Sequence, residues 1–211
     1  NVSSDIVNSR IHVFSFKMLS EKLKNFNIFL GSSSPRRKIL LSNLGLTFEV
    51  KSPNIKEDFP IELENKKAPM YIAEMKANYL AKKISGNYLL ITADTMVLLN
   101  NEILHKPKNE SEAIKTLKKL SNKKHQVTTG ICVKTKNSLV KYSSTTTVEF
   151  KYLNKKEIDY YIKNYSFLDK AGSYAIQEWI GLIGIKKIYG SYSNVVGLPL
   201  SDLYNILLRI K

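Results

Sequence analysis

Between Tyr88 and Leu99 the chain reads Tyr-Leu-Leu-Ile-Thr-Ala-Asp-Thr-Met-Val-Leu-Leu, twelve residues with one formal charge, Asp94. An apolar run of this kind belongs in strands, and the aspartate predicts two strand segments broken near Asp94, with Asn100-Asn101 turning the chain. A carboxylate between apolar strands costs desolvation energy unless it is hydrogen-bonded, paired or bound to a metal. Asp94 is either a strand-end turn residue or a chemical group. Functional sites of α/β proteins collect at strand ends, which favours chemistry.

A second segment, Leu30-Gly-Ser-Ser-Ser-Pro-Arg-Arg37, reads as a strand, a turn and a helix start. Ile28 to Gly31 is a short apolar strand. Ser34 is the expected N-cap, with Pro35 at the first helical position, where its missing N–H is harmless. Ile39, Leu40 and Leu44 are expected on one face, and Gly45 closes the helix. A helix N-terminus offers unpaired N–H groups and a positive dipole end. Ser32, Ser33 and Ser34 add hydroxyls, and Arg36 and Arg37 add guanidinium forks suited to phosphate oxygens. The same pattern also describes a capped helix with two solvated arginines. It is not a Walker loop, whose glycine spacing and lysine are both missing.

Elsewhere the pattern alternates between strand and helix. Leu46–Val50 alternates as a strand, and residues 67–85 read as a helix with Ala73, Ala77, Leu80, Ala81 and Ile84 inward and Gly86 ending it. Asn109 with Glu112 predicts a capping box for a helix carrying Ala113, Leu117 and Leu120. Residues 125–135 and 138–150 form an expected strand pair. Asn154 with Glu157 caps a helix carrying Ile158, Tyr161, Ile162 and Tyr165. A glycine-containing segment, 171–198, precedes a last helix with Leu203, Ile206, Leu207 and Ile210. The class is α/β. Residues 1–26 are expected as an N-terminal extension and 27–211 as a single domain.

The chain's 211 residues suffice for a core, and its 43% hydrophobic content is ordinary for a globular protein. No stretch approaches the ~20 apolar residues of a membrane span, and no secretory-signal core precedes Lys24. With one cysteine, Cys132, neither an internal disulfide nor a cysteine metal cluster is expected, and a cytoplasmic setting is. The net charge of +15 suits polyanions. The lysines are nevertheless spread along the chain without interleaved aromatics, so nucleic acid is not expected as the main partner.

Other residues are weaker candidates by themselves. Glu57 lies in an acidic loop segment, Asn54-Ile-Lys-Glu-Asp58, while Lys76 and Lys106 are possible phosphate contacts. His12, His105 and His125 lack metal-ligand spacing. Cys132 reads as a core thiol, and Gln177 and Trp179 lie in what reads as an irregular loop.

Four blocks taken together resemble the Maf family of nucleoside triphosphate pyrophosphatases over residues 27–210: Leu30 to Leu41; Ala93-Asp-Thr95 with His105-Lys-Pro107; Leu120 to Gly130; and Asp169 to Gln177 with Gly190 to Pro199. The resemblance implies an elongated mixed β-sheet flanked by helices, in two lobes around a central cleft, of the Maf and inosine-triphosphatase kind. It implies hydrolysis between the α and β phosphates with Mg²⁺ or Mn²⁺, and a homodimer. Carried over by position, Ser32, Arg36, Arg37, Lys76 and Lys106 hold phosphate. Glu57 and Asp94 hold metal, with Asp94 as proton acceptor or metal ligand. Arg36, Thr95 and Gln177 match the branch acting on dTTP and UTP better than the branch acting on 7-methyl-GTP, which stays as the alternative beside a basic nucleic-acid-binding protein on the same fold. Glu178-Trp179 departs from the small residues usual after that glutamine.

Overall fold

The computed structural model describes residues 19–211. Strand β1 (Asn27–Gly31) feeds helix α1 (Pro35–Ser42), then the edge strand β2 (Glu49–Val50) and, after a 3₁₀ turn, helix α2 (Ala68–Ala81). Strands β3 (Tyr88–Leu99) and β4 (Glu102–Leu104) come next, followed by helix α3 (Glu110–Leu120) and the long hairpin of β5 (Lys124–Thr135) and β6 (Leu139–Phe150). Helices α4 (Lys155–Asn164) and α5 (Trp179–Gly184), strand β7 (Ile185–Tyr189), and helices α6 (Tyr192–Val196) and α7 (Leu200–Arg209) complete the chain. The class is α/β, as expected.

The strands form one mixed sheet in the order β2-β1-β3-β5-β6-β7, with β4 beside β3. β1 runs parallel to β2 and β3, and the remaining pairs are antiparallel. One edge of β3 is shared: β1 pairs with it as far as Thr92, and β4 takes over from Val97. Between those limits Ala93, Asp94, Thr95 and Met96 face a gap in the sheet. The opposite edge is continuous, because β5 pairs with β3 from Leu89 to Leu98.

Two lobes follow from this gap. Period-2 alternation sends Leu89, Ile91 and Ala93 into a core with Leu40, Leu41, Leu203 and Leu207. Beyond Thr95 the same face packs Val97 and Leu99 into a second core with Leu117, Ile158 and Ile180. On the other face Tyr88, Leu90 and Cys132 pack under Ala73, Ala77 and Leu80 of α2. That helix sits close because Gly130 gives it room: a Cβ there would lie 2.2 Å from the Met70 backbone N and Cα. Asp94 pairs directly with Gly130, so this close approach sets the height of α2 above the carboxylate.

Several expectations need correction. β3 is one unbroken strand, since ten register pairs with β5 carry it through Asp94; the expected break exists only along its other edge. Ile39 is 62% exposed, and α1 instead buries Leu40 and Leu41. Ser34 holds the N-cap backbone position without a side-chain cap bond; its N–H donates to Ser32 Oγ. Leu46–Val50 pairs in the sheet only at its last two residues. The helix expected over 67–85 ends at Ala81, leaving Ile84 beyond it. Asn109 does cap α3, but Glu112 accepts from Lys108 N and not from Asn109, so the box is not reciprocal; the box at Asn154 and Glu157 is. The segment 171–198 holds α5, β7 and α6, whose short spans carry little periodic signal. Asn100 and Asn101 both take positive φ, as the turn requires. Residues 1–18 of the expected extension, His12 among them, lie outside the described residues; Leu19 and Leu23 of its remainder are buried in the first core.

Gly130→Ala is expected to force α2 off the sheet and to lower stability by about 2–3 kcal/mol. Urea unfolding checks this, and an unchanged midpoint would show that α2 has slack the packing denies.

Candidate active site

The sheet gap opens into a cleft of about 520 Å³. β1 delivers the Ser32–Ser34 turn to one wall. Arg37 on the first turn of α1 is half-buried and held at three points: Nε donates to the Gly197 carbonyl at 2.8 Å, Nη2 to Thr95 Oγ1 at 2.9 Å, and Nη1 to Ser32 Oγ at 3.3 Å. Gly197 has a φ of +126°, a conformation glycine adopts without strain. Thr95 Oγ1 also bonds Thr129 Oγ1 at 2.9 Å. Burial lowers the Arg37 pKa while Asp94 and Glu57 raise it; a guanidinium stays charged regardless.

Across the gap, α2 supplies Lys76, whose side chain is 6% exposed. Its ammonium donates to Asp94 Oδ1 at 2.7 Å and lies 2.7 Å from Glu57 Oε1. The register of α2 is fixed nearby, where Thr92 Oγ1 donates to the Ala73 carbonyl at 2.6 Å. Asp94 is 8% exposed. Burial raises its pKa above the ordinary carboxylate range, against the opposing pull of Lys76 and Arg37. A carboxylate so placed has an enhanced appetite for a proton.

Three carboxylates of the described residues line the cleft: Asp169 is taken by Arg36 and Lys170, while Asp94 and Glu57 each give one oxygen to Lys76 and keep the other for a divalent ion. Among the described residues no group of three or more His, Cys, Asp or Glu side chains could hold one. Two carboxylates fit Mg²⁺ or Mn²⁺ when phosphate oxygens and water complete the shell, the usual manner of magnesium at phosphate sites. The donor set therefore fits an ion that arrives with its substrate.

Ser32, Arg36, Arg37, Glu57, Lys76, Asp94, Thr95, Lys106 and Gln177 all line this one cleft. Lys106 and Gln177 are exposed to it, with His105 beside Lys106. Thr95 reaches the site through Arg37. Arg36 is turned toward the far lobe, where Nη1 donates to Asp169 Oδ2 at 2.6 Å. Asp169 and Lys170 stand in a motif block but carried no signal as polar contacts of the site. Phe59 also lines the cleft and carried no signal.

The other candidates are structural. Burial pushes the Cys132 thiol up to about 11, as befits a core thiol. His125 Nε2 bonds the Tyr174 hydroxyl at 2.7 Å, and its ring stacks on Phe150. Burial pulls its pKa down to about 3.

A model of the family described as Maf-like protein matches residues 27–210. A dTTP/UTP pyrophosphatase of Porphyromonas gingivalis is 47% identical over 190 residues, covering 89% of this chain and 96% of that protein. Another, of Phocaeicola vulgatus, is 48% identical over 191 residues, covering 90% and 99%. Among solved structures, a nucleoside-triphosphatase / dITP/XTP pyrophosphatase of Mycobacterium abscessus aligns over 59% of this chain and 74% of its own, with 11% identity and a TM-score of 0.36, too loose a likeness to bear weight.

His125 has a sign-definite consequence. Its folded pKa, about 3, lies below the unfolded value of about 6.5, so the native state binds fewer protons. Its contribution is complete above pH ~6.5 and is lost as pH falls toward about 3, with a slope approaching ~1.4 kcal/mol per pH unit. Urea unfolding from pH 7 to 4 is expected to show this slope in the wild type and its loss in His125→Phe. Equal slopes would contradict a neutral buried imidazole.

Proposed function

The chain belongs to the Maf-like family, and on that premise we propose that it hydrolyses nucleoside triphosphates, dTTP and UTP foremost, to the monophosphate and pyrophosphate. The observation that carries this reading is the buried Lys76–Asp94 pair, 2.7 Å apart, in the same cleft as Arg37 and the Ser32 turn. A proton acceptor beside fixed cations suits attack by water on a phosphorus atom already ringed by negative oxygens.

In this reading Arg37, Lys76 and Lys106 take phosphate oxygens and offset the charge that builds in the transition state. Asp94 accepts a proton as water's oxygen bonds to the α-phosphorus; the bond to the bridging oxygen breaks, and pyrophosphate leaves with that electron pair. Burial favours the protonated form of Asp94, which suits a proton acceptor, while a cation bound beside it would oppose that shift. Glu57 and Asp94 would hold a divalent ion, Mg²⁺ or Mn²⁺, which would withdraw charge from the phosphate oxygens. Arg36, Thr95 and Gln177 are the specificity group: Gln177 is exposed in the cleft, where an amide can read a base edge, and Thr95 acts by fixing Arg37. A cytoplasmic homodimer completes the proposal. Among the described residues no helix is long and apolar enough to cross a membrane.

The test is pyrophosphate release from dTTP, UTP, CTP, GTP and 7-methyl-GTP with Mg²⁺ or Mn²⁺. Preference for dTTP and UTP is expected, with Asp94→Asn slowed about 10³-fold; the variant stays folded, with a lowered unfolding midpoint because buried Lys76 keeps only Glu57 as a charged partner. A preference for 7-methyl-GTP would move the chain to the other branch. Wild-type rates in Asp94→Asn would remove that residue from the mechanism.

A further inference from the structure

Arg36 leaves the first lobe on α1 and meets Asp169 of the second lobe across the mouth of the cleft. Nη1 donates to Asp169 Oδ2 at 2.6 Å and Nη2 to the Asp169 carbonyl at 3.4 Å. An exposed ion pair of this kind ordinarily contributes little, because ordering two side chains offsets the attraction. Here one partner is fixed from behind. Lys170, 5% exposed, donates to Asp169 Oδ1 at 2.9 Å, to the Ser166 carbonyl at 2.5 Å, and lies 3.1 Å from Glu178 Oε1. Glu178 in turn accepts from the Tyr161 hydroxyl in the second core. The Asp169 carboxylate is thus anchored on one oxygen to a buried lysine and presents the other to Arg36.

We infer that Asp169, held by the buried Lys170–Glu178 pair, is a positioning residue that orients Arg36 for the nucleotide. This rests on the reading of the cleft as a nucleoside triphosphate site. A guanidinium whose direction is set before the ligand arrives loses less entropy on binding it. Against desolvation that pushes it up, hydrogen bonds from Lys170 and Arg36 hold the Asp169 carboxyl down at about 2, so the anchor stays charged wherever the protein is folded and active. The arrangement also gives Glu178 a place: it neutralises Lys170, so its departure from the small residues of the family pattern has a structural use in this chain.

The test is a double-mutant cycle on Arg36→Ala and Asp169→Asn in the full chain. It reads both the dissociation constant of the non-hydrolysable α,β-methylene analogue of dTTP and the steady-state kinetics with dTTP. Asp169→Asn is expected to weaken analogue binding and raise KM about tenfold with kcat within about twofold. In the Arg36→Ala background it should add nothing, and Asp169→Glu should recover part of the affinity. An undiminished or tighter affinity in Asp169→Asn would overturn the assignment, making Asp169 a bystander or a competitor for Arg36. An equal loss in the Arg36→Ala background would overturn it as well. Binding is read apart from turnover, so failure of the hydrolytic reading has its own signature: a wild-type protein that binds the analogue and releases no pyrophosphate from dTTP.

Discussion

A buried ammonium needs negative partners, and Lys76 has two, Asp94 and Glu57, each 2.7 Å away. Removing either partner leaves charge stranded at low dielectric, which is why such groups are tightly positioned. Much of the surrounding architecture serves that placement. The alanines of α2 and Gly130 beneath it let helix and sheet approach, and the Thr92 hydroxyl bond to the Ala73 carbonyl fixes the helix along its axis. The pair then presents a buried carboxylate of raised proton affinity at the floor of the cleft.

The cleft itself is a consequence of strand pairing. β3 outlasts β1 at one end and meets β4 only at the other, leaving Ala93 to Met96 unpaired along one edge. Because neighbouring residues of a strand point to opposite faces, the gap offers Asp94 to Lys76 on one side and Thr95 to Arg37 on the other. Two groups of opposite charge are thereby held at one opening without contacting each other. The lobes on either side grow around separate cores, and the Arg36–Asp169 pair spans them at the rim.

Local pattern made the elements with strong signals readable: the β5–β6 hairpin, the capped helices at Asn109 and Asn154, and the turn at Asn100-Asn101. It misjudged β3, since a charge inside an apolar run looks like an interruption when the strand paired on its other side is unseen. It missed α5, β7 and α6, too short to establish a period. The candidate residues Arg37 and Asp94 stood out by their placement in otherwise simple segments, whereas Lys106 gained meaning only from the motif blocks read together, and Glu57 and Lys76, outside those blocks, only from the family resemblance as a whole. Asp169 and Lys170 could not be read as polar partners of Arg36 from sequence, because their contacts cross 133 residues of chain.

In the proposed reaction, water deprotonated by way of Asp94 attacks the α-phosphorus. Hydrolysis of dTTP in ¹⁸O-labelled water with Mg²⁺, followed by mass analysis of both products, reports which phosphorus the water reaches. Attack at the α-phosphorus puts one labelled oxygen in the thymidine monophosphate and none in the pyrophosphate. Label in pyrophosphate would place the attack at the β-phosphorus, and release of labelled orthophosphate would place it at the γ; either result would contradict the mechanism built on this cleft.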